Sequence, residues 1–308
     1  MSKQGKHHYI PIFYLKQWVG TDQRLCEFKR RYHGIAPRRV YPDMTGYIHG
    51  LNTIPGLPPE HAQYLETHFL SATDTYASRA LRILLGDGPW RFTDHERSGW
   101  SRFITSLLLR NPETVERMKV VAIDTLKAAR SEIEESYAKN RLPTNPPTYD
   151  EYAAQNSPNP AGRVAAILLQ NIIDSPKIGQ HIINMRWRVF KTPPSYLPFL
   201  SSDRPVVMRN GMNNPDSQIV MPISPHHAFA ATNTAEAENL LLQIAKENTL
   251  VQQVNERVVA QARTLVFGEV DTAHGFVVDH FGKQYIADPL DGPSPFETAR
   301  TDGDNRNI

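Results

Sequence analysis

The sequence predicts an α+β protein, a helix-rich body carrying a small antiparallel sheet. Between residues 59 and 140, apolar side chains recur at three- and four-residue steps, the period of helices with one buried face. From residue 186 the texture changes to short β-branched or aromatic runs separated by Pro, Asn and Gly, as in an antiparallel meander. Helical and strand-like segments do not alternate regularly, which argues against a parallel sheet.

The elements follow in order. In "GKHHYIPIFYLKQW" the proline after the histidine pair forces an extended start, and Phe13, Tyr14 and Leu15 read as buried. "RLCEFKRRYHGIAPRRVYP" reads as two strands around a turn, with His33-Gly34 supplying the positive-φ position. A helix follows with Ala62, Leu65, Phe69, Ala72, Tyr76, Ala80 and Leu84 on one face and Gly86 as its stop. Thr93 and Glu96 stand at capping-box spacing ahead of a helix that buries Trp100, Phe103, Ile104, Leu107 and Leu108. Asn111 and Pro112 cap and begin another, expected to run to about Asn140. The five prolines of residues 141–160 predict a surface connection with a short helix over Tyr149–Gln155. A helix is expected over 162–185, then the strands "RWRVFK", "LPFLSSDRPVVMRN", "SQIVMPIS" and "HHAFAAT", a helix over 234–262, continuous or broken, and the strand "TLVFG". The expected organisation is a single domain over residues 1–286, followed by a polar tail, 287–308, too rich in turn residues to order by itself.

Composition limits the function classes. The chain has 308 residues, 40% hydrophobic and 21% charged, with net charge +2, an ordinary soluble globular balance. No run approaches the roughly 20 apolar residues of a membrane span. The single cysteine, Cys26, can form neither an internal disulfide nor a cysteine-based zinc site. The expectation is a cytoplasmic protein without a membrane partner. Charge is uneven, because residues 1–41 hold nine Lys or Arg against Asp22 and Glu27. Lys29, Arg30, Arg31, Arg38 and Arg39 of the hairpin are therefore candidate contacts for phosphate, on nucleic acid or another anionic ligand. A solvated hairpin face is the plainer explanation of the same charges.

Several enzyme classes lack their signature. There is no phosphate-binding Gly-rich loop ending in Lys-Ser/Thr, no dinucleotide fingerprint and no serine-nucleophile elbow. "DHERSGW" begins like a zinc-protease helix, but Gly99 stands where the second histidine would be. Two fragments keep a nuclease reading open. Glu27-Phe28-Lys29 has the form of a metal-dependent nuclease half-site, and "HHYIP" with Asn52 and His61 is similar to His-Asn-His nucleases. A divalent metal is then the implied cofactor. Arg110, at the end of an apolar helix, is explained by the helix dipole.

The segments "HHYIPIFYLKQW", "QYLETHFLSATDTYASRAL", "FITSLLLRNPETVERM", "LPFLSSDRPVV", "MPISPHHAF" and "VNERVVAQARTLVFG" resemble, in the same order over residues 7–267, a mainly bacterial family catalogued as domain of unknown function 4238. Members usually carry Thr-Ser-Asp-Asn-Pro at the second motif, so Ser201 and Arg204 are departures. The resemblance implies no activity. It singles out His7, His8, Tyr9, Tyr14, Asp203 and Asn255 as matching polar positions.

These observations lead first to a hydrolase acting on nucleic acid or another phosphodiester. His7 or His8 would be base or metal ligand, Asp203 would bind metal or orient the imidazole, and Tyr9, Asn255 and the basic hairpin would contact substrate. The alternative is a non-catalytic module for an anionic ligand or a partner protein. In a third reading the motifs only specify the fold.

Overall fold

The computed structural model describes residues 5–283 apart from 33, 55, 157–158 and 195. Strand β1 (Lys6–His8) leads through Pro11 into a single helical turn, α1 (Ile12–Leu15). Tyr14, Leu15 and Trp18 are fully buried. The Tyr14 hydroxyl donates to the Pro222 carbonyl at 2.7 Å and lies 2.8 Å from Ser201 Oγ, while Trp18 Nε1 donates to the Phe199 carbonyl at 2.9 Å. An aromatic ring buried with its polar tip satisfied is a strong anchor, so this opening stretch pins the N-terminal segment to the C-terminal half.

The hairpin β2 (Leu25–Arg31) and β3 (Gly34–Val40) forms as expected, with Gly34 at φ +114°; His33 lies outside the described residues. Strand β4 (Tyr47–His49) pairs antiparallel with β1, placing His8 opposite Tyr47. The next helix is not continuous. After α2 (Pro59–Ala62) the residues Leu65–Leu70 wind as a π-helix before α3 (Ser71–Leu85). Helix α4 (Asp94–Leu109) opens on the capping box: Thr93 N–H donates to Glu96 Oε2 at 2.9 Å and Glu96 N–H to Thr93 Oγ1 at 3.3 Å. Asn111 then caps α5 (Pro112–Ala128) by accepting from Thr114 N–H at 3.0 Å.

Three of the long helices expected from the sequence are each two. The first breaks at Ala129 into α5 and α6 (Arg130–Asn140), and α6 buries nothing. The short helix α7 (Tyr149–Asn156) sits in the Pro-rich connection. The second break separates α8 (Pro160–Ile173) from α9 (Pro176–Asn184), because Pro176 cannot continue a helix and Ser175 caps a new one. Strands β5 (Arg186–Lys191), β6 (Ser201–Ser202), β7 (Val207–Arg209), β8 (Gln218–Ser224) and β9 (His227–Thr232) follow. The third break, at Asn248 with φ +59°, divides α10 (Ala235–Lys246) from α11 (Leu250–Ala260). Strand β10 (Leu265–Gly268) and α12 (His274–His280) complete the described chain; the tail expected at 287–308 lies outside it.

The strands do not form one meander. One antiparallel sheet has the order β5-β9-β8-β7, but β6 leaves it to pair with β10 in a second sheet of order β3-β2-β10-β6. Period-two alternation explains the layering. Ile219, Met221 and Ile223 of β8 face the largest core, where Trp100 meets Phe229 edge-on at 5.5 Å. Val220, Ala228 and Ala230 face Leu241, Val251, Val254 and Val258 of α10 and α11. Cys26, Phe28 and Val266 pack on Val259, Val277 and Phe281. Burial pushes the Cys26 thiol up to about 11, which keeps it protonated and unreactive. Among the described residues no helix is long and apolar enough to cross a membrane.

Candidate functional site

Asp203 follows β6 directly and is buried. Its Oδ1 accepts from Arg263 N–H at 2.9 Å. Its Oδ2 accepts from Thr264 N–H at 2.6 Å, Thr264 Oγ1 at 2.7 Å and Leu265 N–H at 3.0 Å. Asp203 N–H in turn donates to the Leu265 carbonyl at 2.9 Å. A carboxylate has about four lone-pair sites, and four donors occupy them. Burial raises the Asp203 pKa, and the same four donors oppose that rise. Among the described hydrogen bonds none joins His7 or His8 to Asp203. The expected His–Asp constellation is therefore corrected: Asp203 is a clamp that holds β6 to the start of β10.

Two other candidates belong to the same architecture. The Tyr9 hydroxyl bonds to the Thr264 side chain, and burial followed by the Asp203 charge holds it far above the usual phenol range. Asn255 accepts from Leu200 N–H at 2.8 Å through Oδ1 and donates from Nδ2 to the Pro198 carbonyl at 3.0 Å. Both ends of its amide are spent on the backbone ahead of β6, which corrects its assignment as a ligand contact.

The basic hairpin is also largely committed. Arg38 pairs with the buried Glu27 at 3.3 Å, and Thr45 Oγ1 donates to the other Glu27 oxygen. Arg39 pairs with Asp22 at 2.5 Å and donates to the carbonyls of Arg24 and Glu269. Arg30 donates to the Phe281 carbonyl at 2.6 Å and lies over that ring. Lys29 and Arg31 are exposed, with no partner among the described residues. The five-residue phosphate strip thus reduces to Lys29 and Arg31. Glu27 is consumed as well, and among the described residues no group of three His, Cys, Asp or Glu could hold a metal ion.

A different cluster forms around the histidine pair. Successive positions of β1 face opposite ways, so His7 is buried and His8 half-buried. His7 Nδ1 accepts from Asn52 N–H at 3.0 Å. Burial, then the neighbouring His49, lowers the His7 pKa and keeps the ring neutral. With Nδ1 accepting, the neutral ring carries its proton on Nε2. His7 is therefore a hydrogen-bond donor, not a base, and that nitrogen is closed to a metal. His7 Nε2 is buried without a partner, and so is His8 Nε2. The His8 ring lies 5.3 Å from that of Tyr47. Its pKa is lowered by burial, with the charges of Lys6 and Arg110 adding to the effect and Asp43 opposing it.

Asn52 links this pair to acidic and basic groups deeper in the fold. Its Nδ2 donates to Glu66 Oε2 at 2.9 Å, whereas its Oδ1 has no partner. Glu66 stands in the π-helical stretch, a geometry that recurs at functional sites, and burial raises its pKa. Arg110, at the end of α4, is 1% exposed. Its Nη1 donates to both oxygens of Asp74, at 3.1 and 3.3 Å, and burial raises the Asp74 pKa against that pairing. Among the described residues Arg110 Nε and Nη2 have no partner. These two nitrogens form one edge of the guanidinium, with parallel N–H bonds, the fork that meets a carboxylate or phosphate. From the sequence alone the helix dipole accounts for Arg110, and neither Asp74 nor Glu66 stands out. The available signal was an arginine closing an apolar helix just before Asn111-Pro112.

A family model described as "Protein of unknown function (DUF4238)" matches residues 6–272. No curated protein and no solved structure matches the chain.

Proposed function

The chain belongs to the DUF4238 family, which brings no activity with it, and on the site alone we propose that it binds a small oxyanion, a carboxylate or phosphate group, at Arg110. The supporting observation is the unpaired Nε/Nη2 edge of a fully buried guanidinium. Leaving a buried charged donor unmet costs more than the 1–3 kcal/mol of a neutral one. The His7 Nε2–H is a further unmet donor in the same cluster, and the raised pKa of Glu66 lessens its repulsion of an anion. A cytoplasmic setting agrees with the single unpaired cysteine.

Calorimetric titration with phosphate and with acetate tests this reading. Saturable binding of one of them is expected, weakened at least tenfold in Arg110→Lys, which keeps the charge facing Asp74 but loses the fork. Equal affinity in the variant, or no binding to the wild type, would overturn it.

The phosphodiester-hydrolase reading keeps one specific support, the neutral His8 ring with its free Nε2, beside which Arg110 would stabilise a developing charge. Such an activity would need neither Asp203 nor a metal, and Lys29 and Arg31 would hold nucleic-acid phosphates. Turnover without added metal that disappears in His8→Gln supports it; full turnover in that variant sinks it.

A further inference from the structure

A cavity of about 220 Å³ lies between the segment after β4, the π-helical stretch, α5 and α8. Its walls are apolar, formed chiefly by Leu51, Leu65, Val115, Met118, Ala165 and Leu169. Among the described residues Lys119 is the one charged residue lining it, and its ammonium is bonded to Glu116 at 2.6 Å. The cavity therefore offers no free charge to a ligand.

Its polar lining comes from Asn52 and Thr53 and, at the start of α8, from Asn159, whose Oδ1 already accepts from Gly162 N–H at 2.9 Å. Asn52 is more than nine-tenths buried. Its Oδ1 and the Thr53 Oγ1 are buried atoms without a partner among the described residues. The Asn52 amide nitrogen is already committed to Glu66, so only an acceptor remains there. The threonine hydroxyl can donate or accept. A ligand hydroxyl supplies what both atoms lack, a proton for Asn52 Oδ1 and an oxygen for the Thr53 hydroxyl. A carboxylate would leave Asn52 Oδ1 unmet, having no proton to give. Size sets the rest, since an apolar cavity of roughly 150 Å³ takes up benzene. The space here fits one ring, or an equivalent chain, with a few further carbons.

We infer that this cavity binds a small neutral alcohol or phenol, its hydroxyl on Asn52 and Thr53 and its hydrocarbon body among the α5 and α8 side chains. The inference is independent of the oxyanion reading, because Arg110 does not line the cavity.

The test is calorimetric titration of the full chain with 4-propylphenol and with propylbenzene. Saturable binding of the phenol is expected, with propylbenzene at least about fivefold weaker, the effect of one lost hydrogen bond. Ala165→Phe, which fills the cavity, should abolish binding. Thr53→Val should weaken the phenol about fivefold and leave propylbenzene unchanged, and it decides the matter if Ala165→Phe does not fold. Arg110→Lys should leave phenol binding intact, which separates a failure here from a failure of the anion site. Equal affinity for the two probes, unchanged binding in a folded Ala165→Phe, or no saturable phenol binding to the wild type would overturn the inference.

Discussion

Asp203 and Arg110 are both buried, ionisable and far from their partners in sequence, yet they stand in opposite conditions. Every acceptor site of Asp203 is filled by residues 263–265, whereas one whole edge of Arg110 is empty. Asp203→Asn would turn an NH2 group toward at least one backbone N–H. We expect a loss of about 2–4 kcal/mol in denaturant unfolding, with oxyanion binding unchanged once the protein is folded. Asp74→Ala would strand the Arg110 guanidinium without its counter-charge. Breaking a buried pair in this way costs about 3–5 kcal/mol, so this variant should unfold at a denaturant concentration well below that of the wild type. The histidine pair at the start of the chain is structural through His7, whose Nδ1 holds Asn52 N–H, and only its two Nε2 atoms are left over among the described hydrogen bonds. None of this was legible from residue types. A histidine's tautomer and an arginine's free edge depend on partners more than forty residues away for His7 and thirty-six away for Arg110.

At the scale of the elements, the local signals were readable. The Thr93–Glu96 box, the Asn111 cap and the Gly34 turn all lie within a few residues of what they control. The breaks at Ala129 and Pro176 leave no mark in the apolar period, which continues across them while the backbone turns, whereas a broken helix over 234–262 is among the sequence expectations and the break falls at Asn248. Pro176 was the one such break with a visible cause. The separation of β6 from the other C-terminal strands had no local signal, since its pairing depends on β10, some sixty residues later. Gly99, which ruled out a zinc-protease helix, has a packing reason: a β-carbon there would overlap Tyr76 Cβ and come within 3.2 Å of the Tyr76 carbonyl carbon. Gly99→Ala should therefore force α3 and α4 apart. Overpacking of this kind costs about 1–3 kcal/mol despite alanine's better helix propensity, and thermal unfolding would show it. An unchanged or raised melting temperature would mean that the two helices do not cross this closely.

For the whole molecule the buried titratable groups set a pH dependence. His7, His8 and His227 all have pKa values lowered from 6.5, chiefly by burial. As pH falls below about 6.5, the unfolded chain takes up protons at these sites before the folded one, so their contribution to stability is lost on acidification. Glu66, Asp74 and Asp203 act in the opposite sense. Their folded pKa values are raised, so the folded state protonates first and regains stability as pH falls through that raised range. Because the two sets oppose each other, the His8 contribution is read by difference: lowering the pH from 7 toward about 5.5 should destabilise the wild type relative to His8→Gln. Identical profiles for the two proteins would contradict a neutral, half-buried His8. The same architecture explains the spread of the family motifs. Tyr14, Asp203 and Asn255 each tie the backbone around β6 to another part of the fold, through α1, β10 and α11 respectively.

The most direct test of the central claim is the nitrogen-resolved NMR signal of Arg110 Nε–H, followed while phosphate or acetate is added. The account predicts a saturable shift of that one side-chain resonance, with Arg38 and Arg39, already paired, staying in place. An Arg110 resonance that does not move with either anion, or that moves only together with every exposed arginine, would contradict it.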